Sequence, residues 1–108
     1  MENGIENLFR LRGLRVTHVV LDEGNAGLAF EDGSTLSVYN KFVVKRVAAD
    51  SEEKICGKRL LSARETFDMI ILEFESSITM QIYMGDSGYT GPEALQLRIP
   101  GEPIVIWN

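Results

Sequence analysis

Residues Ala26–Asn40, AGLAFEDGSTLSVYN, decide the fold, because most of the stretch is written twice. Leu28 and Phe30 alternate with Ala29 and Glu31, Asp32-Gly33 follows, and Leu36 and Val38 then alternate with Thr35, Ser37 and Tyr39. Asp-Gly between two alternating segments predicts a β-hairpin with a type I′ turn, since both central residues must tolerate positive φ. The pattern returns 44 residues on without a gap, as the glycine pair Gly13 and Gly57 shows. Arg15, Leu28, Phe30, Glu31, Thr35 and Tyr39 meet Arg59, Leu72, Phe74, Glu75, Thr79 and Tyr83. The chain is therefore expected to be mostly β: an antiparallel β-sandwich or small barrel built from two tandem three-stranded repeats, with a short N-terminal helix.

Outward from that hairpin, residues 2–12 carry Ile5, Leu8 and Phe9 at i, i+3, i+4, with Gly13 placed to end the helix they predict. The run 15–21 is rich in β-branched residues and reads as strand. Residues 42–47 read as a further strand, whose apolar run predicts burial, and 48–54 (AADSEEK) form a polar linker between the copies. In the second copy Ser76-Ser77 stands where the first has Asp32-Gly33, which predicts a looser turn. The segment 85–92 holds three glycines and a proline and has no counterpart in the first copy, so it reads as an exposed loop. The organisation expected is one domain over 1–108, with repeat one at 13–47, repeat two at 57–84 and a C-terminal hairpin at 94–107.

At 108 residues the chain has enough length for a single core. Its longest apolar run falls well short of a membrane span, and no basic region followed by an apolar one opens it. The single cysteine, Cys56, has no internal disulfide partner, which favours a reducing, cytoplasmic compartment. The net charge of −5 is placed unevenly: residues 1–64 balance at +1, whereas 65–108 hold seven carboxylates against Arg98 alone. Such a half repels phosphate, so nucleic acid is not an expected partner, and no membrane partner is expected either. Either the acidic half is a solubilising face or it docks a basic protein. In the docking reading the contacts are Glu73, Glu75, Asp86, Tyr89 and Glu93, joined by Tyr83 through strand alternation.

No catalytic, cofactor or metal motif accompanies these residues, and the chain is expected not to be an enzyme, with no cofactor and no metal. His18 is the only histidine and sits among valines, so it reads as a structural residue. Cys56 reads as a small packed side chain, having only His18 as a possible base. Glu73 and Glu75 are placed on one strand face, about 7 Å apart. That spacing suits acid–base work on a sugar, but no apolar pocket flanks them to raise one pKa. The glycines of 85–91 suggest a phosphate cradle, which Asp86 and the absence of lysine or arginine there oppose.

The doubled pattern G-x-R-V/L…L-x-F-E-x-x-x-T-L/M-x-V/I-Y over 13–40 and 57–83 resembles small bacterial β-domains of uncharacterised families. Gly91-Pro92-Glu93-Ala94…Trp107-Asn108 is similar to the tails of such proteins. In size, charge and fold class the chain also resembles immunity proteins of contact-dependent growth inhibition, the inhibitor halves of bacterial toxin–immunity pairs. That resemblance implies a binding protein that covers the active site of a basic toxin, a nuclease above all. The other reading is a small-molecule-binding or structural β-barrel whose two repeats enclose a cavity.

Overall fold

The computed structural model describes residues 5–22, 25–46, 55–85, 88, 91 and 93–107. Among the described residues nine strands follow one short α-helix, α1 (Glu6–Phe9). They are β1 (Val16–Asp22), β2 (Asn25–Phe30), β3 (Thr35–Val38), β4 (Phe42–Arg46), β5 (Leu60–Glu65), β6 (Met69–Phe74), β7 (Ile78–Tyr83), β8 (Leu95–Arg98) and β9 (Val105–Trp107). One sheet has the order β1-β2-β3-β8-β9 and the other β4-β7-β6-β5, with every pairing antiparallel. Leu28, Phe30, Leu36, Val38, Leu95 and Leu97 of the first sheet join Leu60, Leu72, Phe74, Met80 and Ile82 of the second in one buried cluster. Two antiparallel sheets closing on a shared core have the architecture of a β-sandwich.

The pairings of the two sheets run in step. Leu28 lies opposite Leu36 as Leu72 lies opposite Met80, and Val16 opposite Phe30 as Leu60 opposite Phe74. Even the irregularity is matched: the register shifts between Val16 and His18 on β1, and between Leu60 and Ser62 on β5. In each case one extra residue, Thr17 or Leu61, is inserted as a β-bulge, which sharpens the local twist.

Beyond that shared pattern, each unit sends its next strand to the other sheet. After β3 the chain crosses, and β4 pairs with β7, Phe42 opposite Ile82. After β7 it crosses back, and β8 pairs with β3, Leu95 opposite Val38. The connection from β7 to β8, which contains 85–92, is longer in sequence than that from β3 to β4.

The sheets are stitched together where β1 and β5 begin. Arg15 and Arg59 form an antiparallel bridge. Around it Gly13 N donates to Leu60 O (2.8 Å), Leu60 N to Leu14 O (3.1 Å), Val16 N to Lys58 O (2.9 Å) and Gly57 N to Val16 O (2.7 Å). Gly13 and Gly57 take φ of +82° and +90°, a conformation that L side chains resist.

Several local expectations are corrected. The expected short helix covers only Glu6–Phe9 of the run that predicts it, and turns with Leu11 N donating to Leu8 O and Leu14 N to Leu11 O carry the chain on from there. Ile5, Leu8, Leu11 and Leu14 pack against the core, and Phe9 is exposed. The strand β4 is an edge strand, half-buried at Phe42, Val43 and Val44, not the buried strand its apolar run predicts. The first hairpin closes by three residues, with Phe30 N donating to Ser34 O and Gly33 N to Phe30 O, and only Gly33 has positive φ. Asp32 keeps an ordinary φ and caps Ser34 instead, accepting from its N–H (2.9 Å) and hydroxyl (3.0 Å). The second turn has the same length but is strained, not loose: Ser76 and Ser77 sit at φ of +64° and +59°.

Candidate functional site

Alternation places Ser62, Arg64, Met69, Ile71, Glu73, Thr79, Gln81 and Tyr83 on the outer face of the four-stranded sheet. Glu73 lies there as expected, but its carboxylate is engaged. It accepts a hydrogen bond from the Ser62 hydroxyl (3.0 Å) and pairs with Arg64 Nε (3.3 Å).

Glu75 is not on that face. The strand β6 ends at Phe74, and Glu75 opens the turn, so alternation no longer governs it. Its carboxylate bends back and accepts from Arg59 N–H (2.8 Å), as Glu31 accepts from Arg15 N–H (2.8 Å). Arg59 also reaches Glu31, 3.5 Å away. The acids that close the F-E pattern in both copies thus hold the junction between the sheets.

Tyr83 stands at the other end of the face, opposite Met69, whereas Glu73 stands opposite Thr79. Four residues of strand separate those two pairs, about 13 Å. The Lys41 ammonium lies 5.9 Å from the centre of the Tyr83 ring, and Asn40 Nδ2 donates to the Tyr83 carbonyl (2.8 Å). Glu93 is half-buried and precedes Ala94, whose carbonyl accepts from Tyr39 N and Asn40 N. Tyr83 and Glu93 therefore share one end of the molecule, while Glu73 and Glu75 belong to the other. Asp86 and Tyr89 lie outside the described residues.

The acidic half is in this way divided. Glu73 and Glu75 are held as above, and Glu102 is tied to Arg10. The Arg10 guanidinium holds the Glu102 carboxyl below the usual carboxylate range, chiefly through its hydrogen bond. The carboxylates of Glu65, Asp68 and Glu93 have no hydrogen-bond or ion-pair partner among the described residues. Glu65 and Asp68 belong to the acidic half read from the sequence but were not among its expected contacts. They bracket the turn between β5 and β6, and the sequence signal that marks it is Phe67 between them.

His18 and Cys56 are both exposed, and the packed role expected for Cys56 is not the one it has. Its thiol donates to Thr17 O (3.3 Å), covering the carbonyl of the bulge residue on β1. The His18 ring lies beside the Thr17 hydroxyl (3.2 Å). Among the described residues no three His, Cys, Asp or Glu side chains come together as a metal site.

Open concavities on the surface are lined by described residues in at least two places. One, about 340 Å³, lies over the outer face of the five-stranded sheet, where Gly27, Ala29 and Ser37 stand in place of Ile71, Glu73 and Gln81. Another, about 410 Å³, lies between Phe9, Arg12 and Leu61. Large side chains of both sheets are fully buried between them, Leu28, Leu36, Leu72, Phe74, Met80 and Ile82 among these. No helix among the described residues is long and apolar enough to cross a membrane. No protein-family model matches the chain, and neither curated proteins nor solved structures include one similar to it.

Proposed function

We propose that the chain is an acidic protein-binding module, an immunity protein that neutralises a basic, nuclease-type toxin by covering its active site. The observation that carries this reading is the division of charge, seven carboxylates against Arg98 over 65–108. A nuclease has to attract phosphate, so its cleft is basic, and a carboxylate-bearing surface competes for the same field with a high association rate. Carboxylates already held within the chain contribute to that field. Those without a partner among the described residues, Glu65, Asp68 and Glu93, are the ones free to pair across an interface.

We also infer that the two units whose pairings run 44 residues apart are copies of one three-stranded repeat, each lending its next strand to the other. In this view the second copy carries the docking surface, and the first completes the core beneath it. The protein acts by occlusion and is not an enzyme.

Co-expression in bacteria with cytotoxic nuclease domains tests the function. Growth is restored against a nuclease with a basic cleft, and the association weakens as salt rises, because exposed pairs are screened over about 8 Å at physiological ionic strength. Rescue that persists when Glu65, Asp68 and Glu93 are all reversed to Lys, with binding indifferent to salt, contradicts it.

A further inference from the structure

Phe67 at the tip of the β5–β6 hairpin is fully exposed. A lone exposed apolar side chain is ordinary, so exposure by itself says little. Three further observations give it meaning. The first is the chain's own comparison: the positions 44 residues earlier read Asp22-Glu23-Gly24, three polar turn formers, where the second unit has Thr66-Phe67-Asp68. Turn chemistry asks for no aromatic here, and the core gains nothing from it.

The second observation is that the tip is held still. Thr66 N donates to Met69 O (2.8 Å), and Met84 N donates to Asp68 O (2.7 Å), which ties the turn to the end of β7. A side chain on a fixed backbone loses little freedom on binding. The third is its surroundings. Half-buried Met69 lies opposite half-buried Tyr83 just behind the tip. Glu65 and Asp68, both exposed and with carboxylates that have no partner among the described residues, flank it. An anionic lipid surface or a nucleic acid would be repelled by these carboxylates at the level of the ring.

We propose that Phe67, flanked by Glu65 and Asp68 and backed by Met69 and Tyr83, is the anchor of the docking surface, seating in an apolar pocket rimmed by lysine or arginine on a protein partner. The ring fills the pocket, and the two carboxylates meet the cationic rim, the arrangement in which one aromatic side chain dominates an interface. Lys41, beside Tyr83, limits the surface on one side and disfavours a partner that is cationic throughout. The proposal rests on the acidic-docking reading above and names the residues that carry it.

A host molecule with an apolar cavity and a cationic rim reproduces the partner's chemistry: per-6-amino-β-cyclodextrin, compared with neutral and sulfated β-cyclodextrin. Titrated into the full-length ¹⁵N-labelled chain, the amino host is expected to shift the amides of Thr66–Met69 and Tyr83, and to bind about fivefold tighter than the neutral host. F67S, at an exposed position that leaves the fold intact, abolishes these shifts. The double variant E65Q/D68N brings the amino host down to the affinity of the neutral one. Shifts centred on Phe9 and Leu61, binding unchanged in F67S, or equal affinity for amino and sulfated hosts would each overturn the proposal. Rescue from a nuclease that stays salt-sensitive in F67S removes the anchor and leaves the docking reading standing. Failure to rescue from any nuclease, with the host still seated at Phe67, does the reverse.

Discussion

Arg15 and Arg59 face each other across the bridge between the sheets, and each guanidinium donates to the carbonyl of the other unit's glycine. Arg15 Nη1 reaches Gly57 O at 2.5 Å, and Arg59 Nη1 reaches Gly13 O at 2.7 Å. The exchange accounts for four residues at once. Gly13 and Gly57 adopt positive φ to turn their carbonyls toward the bridge, and Glu31 and Glu75 hold the backbone N–H groups of the two arginines.

Because the two glycines have equivalent places, their replacement has equivalent effects. Gly13→Ala and Gly57→Ala should each destabilise the chain by about 1–2 kcal/mol, the cost of a Cβ in a left-handed conformation. Open space surrounds both positions, so no clash adds to the strain. Urea midpoints of the two variants should agree closely; one silent variant beside one damaging variant would show that the junction is not symmetric in energy.

Phe74 is among the largest fully buried side chains and packs in the cluster shared by both sheets. Phe74→Ala should cost about 3–5 kcal/mol, a large part of the stability of a small domain. Loss of the cooperative urea transition at room temperature, or a midpoint lowered by that amount, is the expected result. Parental stability would place Phe74 outside the core.

The second hairpin turn stores strain that the first avoids. Ser76, at φ +64° and ψ +27°, occupies a region that glycine enters freely. Ser76→Gly should raise stability by up to about 1 kcal/mol, despite the greater freedom glycine gives the unfolded chain. Thermal unfolding checks the sign.

The tie between Arg10 and Glu102 makes stability depend on acid. Its hydrogen bond holds the Glu102 carboxyl below the ordinary range, so the folded chain releases that proton more readily than the unfolded chain. The stabilisation is therefore complete above the ordinary glutamate value of about 4.3 and fades as pH falls through the lowered one. Both groups are exposed, so the effect is small. The gap in urea midpoint between the parent and Glu102→Gln should be constant from neutral pH down to about pH 5 and close in stronger acid. A gap that widened in acid would contradict this sign.

Much of the fold was legible in the sequence, because period-two alternation fixes which residues face inward. Leu28, Phe30, Leu72 and Phe74 lie where their alternation puts them. The crossing of β4 and β8 was not legible. The pattern of Phe42–Arg46 tells which faces the strand has, not which neighbour it joins. Of the expected helical stripe of Ile5, Leu8 and Phe9, Ile5 and Leu8 face the core but Phe9 is exposed, and Leu11 and Leu14, past the end of the helix, pack inward in its place. Of the site, Glu73 was placed on its face correctly, but nothing in its spacing discloses Ser62 and Arg64 beside it. Glu75 failed for a simpler reason: alternation stops where the strand does, one residue earlier. Phe67 was passed over as a turn residue, and only the folded tip shows how fully it is exposed.

Hydrogen–deuterium exchange on the full chain, alone and bound to a nuclease domain whose growth arrest it relieves, tests the central claim most directly. The account predicts slowed exchange at Glu65–Met69, at Tyr83–Gly85 and around Glu93. No change is expected on the opposite sheet at His18–Val20 and Gly27–Ala29. Protection on that sheet, with the β5–β6 tip exchanging as in the free chain, would contradict it.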